Sequence, residues 1–394
     1  MNAHPTPRVG PLAGHRPDGA PHLDVDALVD DPGTRIVVCC GSGGVGKTTT
    51  SAAVALRAAE RGRRVVVLTI DPARRLAQSL GIERLDNTPR PVVEVVGDGS
   101  LDAMMLDMKS TFDEVVESQA SPEKAAQILA NPFYVALSTS FAGTQEYMAM
   151  EKLGQLDADR RRTGRWDLIV VDTPPSRSAL DFLDAPERLS SFLDGRFIRL
   201  LLVPAKGPAK LMSAGLGVVT SALTKLLGAQ VLKDMQTFVA AFDTLFGGFR
   251  ARAQKTFELL QAPGTAFLVV AAPEPDALRE AAYFVERLKA ERMPLAGLVV
   301  NRASVEPAGG LSGDGAHAAA ERLDARDDES SDDRLTAALL RLHAERVTIA
   351  TRESRLRRRF TAAHPGVPTA VVPALPSDVH DLAGLREVGD LLAR

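Results

Sequence analysis

Residues Ile36 to Thr50 read IVVCCGSGGVGKTTT: an apolar run passes straight into glycines, then into a lysine and three threonines. A strand, a glycine-rich loop and a helix start in that order leave few folds open to the rest of the chain. Gly41 to Thr48 satisfies the G-x-x-x-x-G-K-[ST] pattern. Gly41, Gly43, Gly44 and Gly46, with Ser42 and Val45 between them, let backbone N–H groups turn inward and wrap a phosphate. On this reading Lys47 reaches the β- and γ-phosphates and Thr48 sets its hydroxyl on Mg²⁺. Thr49 follows in the first helical turn, where the helix dipole also favours an anion. A glycine-rich surface turn would leave Lys47 and the strand before it unexplained.

The strand–helix–strand order repeats from there. Thr49 to Arg61 carries apolar residues at helical spacing and stops at Gly62, and Arg64 to Ile70 is a β-branched run suited to a strand buried on both faces. Together they make a βαβ unit, which requires parallel pairing and a right-handed crossover. That second strand ends at Asp71-Pro72, and in a parallel sheet its tip lies beside the glycine loop. Asp71 is thereby aimed at the γ-phosphate region, and it also suits a helix N-cap followed by proline. Trp166 to Val171 is a third buried strand, closing on Asp172-Thr-Pro-Pro175, where a second Mg²⁺-side carboxylate belongs. Ala266 to Ala271 and Leu295 to Val300 are further strands. The latter ends at Asn301, placed to read a purine edge through its amide or to act simply as a turn residue. Thr369 to Val372 is the last strand, and Asp381 to Arg394 closes as an amphipathic helix. The expected fold is α/β, a doubly wound, mostly parallel sheet with a P-loop and an inserted α-helical subdomain.

Around that core the domain plan is a disordered tail over 1–33 and a P-loop domain over 34–394. Helical insertions are expected at about 109–160 and 185–262, and a flexible acidic loop at about 303–333. The stretch from Leu211 to Leu232 carries a single charge, Lys225. Its Gly, Ser and Thr content argues for a packed helical subdomain or an exposed apolar surface for a partner over a membrane span. A net charge of −3 gives no reason to expect nucleic acid as a partner, and the arginines at 355 and 357–359 read as a solvated helix face. Cys39 and Cys40 are the only cysteines, so one chain supplies no disulfide scaffold and no thiolate cage. A cytoplasmic setting is expected, peripheral to a membrane only through a partner.

As a set, Gly41-Ser-Gly-Gly-Val-Gly-Lys-Thr-Thr49, Asp71-Pro-Ala73, Gly143-Thr-Gln-Glu-Tyr-Met148 and Asp172-Thr-Pro-Pro175 resemble the anion-transporting (arsenite-pump) ATPase family. That family includes the ATPases that deliver tail-anchored membrane proteins, and the likeness is greatest to its actinobacterial members. The resemblance implies ATP and Mg²⁺ as ligands, Asp71 in switch I orienting the attacking water, and Asp172 in switch II. It implies that Lys47, Asp71 and Asp172 carry the chemistry, that Thr48, Asp71 and Asp172 attend the metal, and that Asn301 with Pro376 and Asp378 frames adenine. It further implies a face-to-face dimer whose helical subdomains handle a hydrophobic client or a membrane-protein partner. Service to a membrane anion transporter, or a partition or septum-positioning role, are the alternatives.

Three departures qualify the likeness. Ser42 stands where the family usually carries a signature lysine that reaches into the other subunit, which points to a heterodimer with a lysine-bearing paralogue, with a homodimer as the alternative and weak turnover for the chain alone. The dimer-bridging Cys-x-x-Cys is absent, so no zinc is expected. The cysteines of a metalloid site are absent too, which leaves trivalent arsenic without the soft ligands it needs.

Overall fold

The computed structural model describes residues 20–71, 75–132, 134–135, 138, 144–174, 248, 251–305, 307, 310–326 and 330–394. The β-branched runs pair into one sheet. β1 (Ile36–Gly41), β2 (Arg64–Thr69), β4 (Ser100–Met105), β5 (Leu168–Asp172), β6 (Thr265–Ala271), β7 (Leu295–Ala303) and β8 (Thr369–Pro373) are parallel, and the two-residue β3 (Arg90–Pro91) is antiparallel to β4. Their order is β3-β4-β2-β5-β1-β6-β7-β8. Because β5 lies between β1 and β2, Asp172 pairs with Cys39 on one side and Thr69 on the other. Three strand tips therefore converge on the loop that follows Gly41.

Strand residues alternate between two cores. Ile36, Val38 and Cys40 face a cluster rich in Phe, Met and Tyr, whereas Val37 and Cys39 face one built largely of Ala, Val and Leu. The second cluster holds α2 (Lys47–Glu60), whose Ala52, Ala53, Ala55, Ala58 and Ala59 are buried and let it lie close to the sheet. The first is covered by α4 (Met108–Gln119), α5 (Pro122–Leu129), α6 (Thr144–Thr163) and α7 (Pro275–Ala290), with a further helical stretch over 251–261. The short α3 (Arg75–Ser79) follows β2, and α10 (Leu382–Leu392) packs on α2.

Two stretches read as irregular carry helices. Within the expected tail, α1 (Val25–Asp30) is capped by Asp24 and buries Val25 and Val29, and Asp26 and Asp30 pair with Arg57 of α2 and with Arg61, its C-cap. Six residues are too few for a periodic signal, and the Asp-rich composition hid them. Within the expected acidic loop, α8 (Gly313–Asp324) is capped by Ser312 and buries Ala316 and Ala320 against α9 (Ser331–Ala363). A tertiary partner fixes that helix despite its Gly and Asp content. Over the span 109–160 lie α4, α5 and α6. Leu211 to Leu232 lies outside the described residues, among which no helix is long and apolar enough to cross a membrane.

Candidate active site

The phosphate loop owes its shape to two backbone approaches that only glycine allows. Gly41 has φ +150°, and a Cβ there would sit 2.1 Å from the Val270 carbonyl oxygen of β6. Gly46, the residue before α2, has φ +92°, and its Cβ would sit 2.2 Å from Asn301 Nδ2. The loop is thus pressed against β6 and β7 from below. Asn301 donates from Nδ2 to the Val45 carbonyl at 2.9 Å, and Arg302, itself at φ +59°, donates from Nη1 to the Gly44 carbonyl at 3.1 Å. Asn301 therefore braces the loop, beside a cleft into which its residue also opens.

Beneath the loop lie the charges. Lys47 is only 6% exposed, and its Nζ donates to the Ser42 carbonyl at 2.7 Å. Burial lowers its pKa, and the nearby Asp172 carboxylate opposes that. Asp172, with no exposed surface, accepts from Thr69 Oγ1 at 2.9 Å. Burial pushes its carboxyl up to about 6, against the opposing pull of the Thr48 and Thr69 hydroxyls and of Lys47. Ser51 donates to the Lys47 carbonyl at 2.8 Å and lies 3.5 Å from Asp172. Asp71 is half-buried just past β2, its N–H donating to Thr69 Oγ1 at 3.2 Å. Gln145 of α6 donates to the Ile70 carbonyl at 2.8 Å, so the third motif of the family signature touches the backbone next to Asp71.

Above the loop is a cleft of about 670 Å³. Gly44, Gly46, Lys47, Thr48, Thr49, Asp71, Asn301 and Asp378 all line it, and Pro376 falls between the lining residues Leu375 and Ser377. Ser42, Gly43 and Val45 line a second cavity on the other side of the loop, with Glu274, Asp276, Glu280 and Glu353. Asp172 lines neither and acts from below. Sequence reasoning missed Thr69, Ser51, Arg302, and the lining residues Arg75, Gln78 and His380. Thr69 had a signal, since it is the residue that β5 pairing sets beside Asp172; Ser51 follows Lys47 by one helical turn and Arg75 and Gln78 follow Asp71 on α3, whereas Arg302 and His380 are set by chain crossings far apart in sequence.

A glycine loop running from a strand into a helix at the carboxyl ends of a parallel sheet defines a P-loop α/β protein. The sequence model of the anion-transporting ATPase family matches residues 34–309, and the chain belongs to that family. It is similar to the ATPase GET3 of Malassezia globosa, 30% identical over 176 residues, 45% of this chain and 50% of that protein. Against the arsenical pump-driving ATPase of Acidiphilium multivorum it is 32% identical over 156 residues, 39% of this chain and 26% of the relative. ATPase BagA of Mycobacterium tuberculosis is 26% identical over 166 residues, 41% of this chain and 49% of that protein. The matched stretches span half or less of each of these relatives.

Proposed function

We propose that this chain binds ATP with Mg²⁺ and hydrolyses it, using the cycle to switch a dimer that handles a client or membrane-protein partner. The observation that carries the reading is the convergence of Lys47, Asp71 and Asp172 on one glycine loop. A buried ammonium held by a loop carbonyl suits exchange of that carbonyl for a phosphate oxygen. The donor set suits Mg²⁺, which needs only one or two carboxylates beside water and phosphate oxygens. Among the described residues there is no group of three or more His, Cys, Asp or Glu able to cage a metal.

The residue roles follow from position. Backbone N–H groups of the loop and the N-terminus of α2 orient the phosphates, and Lys47 neutralises charge as it develops on the transferred group. Thr48, through its hydroxyl, and Asp172, steered by Thr69, are the residues that would hold the metal. Bound Mg²⁺ would supply electrostatic stabilisation of the phosphate oxygens. Asp71 orients the water that attacks, and Gln145 holds the neighbouring backbone in place. Asn301, with the Pro376–Asp378 loop, frames the base.

The names of the relatives favour two outlets for the switch: GET3-type delivery of a client and the driving of an arsenical pump. Without soft ligands, the first is preferred. Ser42 cannot reach into another subunit, so full turnover is expected only with a lysine-bearing paralogue. Single-turnover hydrolysis of radiolabelled ATP, with and without that paralogue, tests the reading. Failure to bind or hydrolyse ATP in both conditions would overturn it, and full turnover by the chain alone would remove the heterodimer.

A further inference from the structure

Among the described residues, Lys47, Arg75 and Arg302 are the lysine and arginines that line the cleft above the phosphate loop. Two of them are committed to the loop itself. Lys47 donates to the Ser42 carbonyl at 2.7 Å, and Arg302 donates to the Gly44 carbonyl at 3.1 Å. Arg75 is exposed, and among the described residues its guanidinium has neither a hydrogen bond nor an ion pair, although Asp71 and Asp378 line the same cleft. It therefore presents five donors in a planar fork with no acceptor inside the chain.

The backbone that carries this free side chain is itself held. Leu76 and Ala77 of α3, with Leu80 just beyond, enter the alanine-rich core that α2 occupies, and Ser79 Oγ donates to the Leu76 carbonyl at 3.1 Å. Arg75 and Gln78, three residues apart, are left exposed on the face that opens to the cleft. The course of α3 assigns each of them a part of that cleft. Arg75 is the first residue of the helix, four past Asp71. Leu80 and Ile82, beyond its last residue, line a smaller cavity with His380 and Asp381, which follow the Pro376–Asp378 loop. Thus α3 runs from the Asp71 end of the cleft toward the end near His380, and its arginine stands at the former.

We propose that Arg75 donates to the terminal phosphate of ATP bound in the same chain, and so distinguishes ATP from ADP and stabilises the charge on the phosphoryl group as it is transferred. This rests on the reading that ATP is the ligand of the cleft. A guanidinium matches two oxygens of one phosphate at once, which the ammonium of Lys47 does not. With no internal partner to break, it gives up only water and rotamer freedom when the phosphate arrives. The transferred group then meets cations from two elements, Lys47 at the start of α2 and Arg75 at the start of α3, each fixed by packing in the same core.

The test titrates the full chain, in Mg²⁺, with fluorescent derivatives of a non-hydrolysable ATP analogue and of ADP. In Arg75→Gln, affinity for the ATP analogue is expected to fall about tenfold and affinity for ADP by less than about twofold, since only the former carries the terminal phosphate. Turnover at saturating ATP should fall on the order of a hundredfold, with the circular dichroism spectrum unchanged. Arg75→Lys, which keeps the charge and loses the fork, is expected to recover part of the preference for the ATP analogue. Equal losses for the two nucleotides, or no loss for either, overturn the proposal while leaving the ATP reading intact, as does an Arg75→Lys protein indistinguishable from Arg75→Gln. An unaltered chain that binds neither nucleotide overturns the ATP reading and this contact with it.

Discussion

The phosphate loop and the α8–α9 arm hold their shapes by opposite means. The loop follows a strand with no exposed side chain, pinned by two glycine approaches, an asparagine brace and a buried lysine held on the Ser42 carbonyl. The arm rests mainly on itself, through alanines, and leaves its larger apolar residues in water. What differs is the number of independent constraints per residue. At the loop, one changed atom disturbs several contacts; on the arm, a change is felt within one hairpin.

The contrast breaks if substitutions at the two places cost alike. The largest effect is expected from Lys47→Ala, which should lower ATP turnover roughly a thousandfold and also lower the midpoint of thermal unfolding, since it leaves the Ser42 carbonyl unpaired. Asp71→Asn should lower kcat by about a hundredfold or more while ATP affinity, read by fluorescent nucleotide titration, is retained. Gly41→Ala forces a Cβ onto the Val270 carbonyl and should destabilise the fold by on the order of 3 kcal/mol in denaturant unfolding.

A pH profile sharpens the same point. With its carboxyl pushed up to about 6 by burial, Asp172 keeps a proton in the folded protein where the unfolded carboxyl, at 3.8, has lost it. The nucleotide-free fold should thus lose stability as pH rises between these values, by on the order of 3 kcal/mol at most, and Asp172→Asn should flatten that slope. The smallest effect is expected on the arm: Ala344→Leu overpacks the hairpin at a cost of about 1–2 kcal/mol in local hydrogen-exchange protection. The same change should leave ATP affinity unaltered.

What could be read in the sequence follows that division. Gly41, Gly46 and Lys47 are legible because only those residue types meet the backbone and charge demands of a phosphate loop, and the demands fall on consecutive positions. Asp71 and Asp172 are legible because each ends an apolar run. Thr69 is legible only through its pairing beside Asp172, Ser51 only as the residue one helical turn past Lys47, and Arg302 not at all, since β7 is brought to the loop by long crossovers. The helices α1 and α8 escaped because six residues, or an Ala-Gly-Asp composition, carry no hydrophobic period. Their stability comes from α2 and α9. The expectation of a second helical insertion falls mostly outside the described residues; among those described in its span, 248 and 251–261 are helical.

One edge of the sheet has a consequence for how the chain reaches its fold. The Thr369 N–H donates to the Pro21 carbonyl at 2.8 Å, Leu23 donates back to the Thr369 carbonyl at 3.2 Å, and His22 bridges in parallel to β8. The segment that covers β8 is made before every strand of the sheet, and β8 after all the others. The early segment must wait unpaired while nearly every other strand is translated, and the parallel crossovers between them are slow to close. Until that late clasp forms, β8 offers an open row of backbone donors and acceptors, the kind of template on which nascent chains join one another. Holding the opposite flank to a two-residue strand containing Pro91 leaves the finished sheet with little edge to offer.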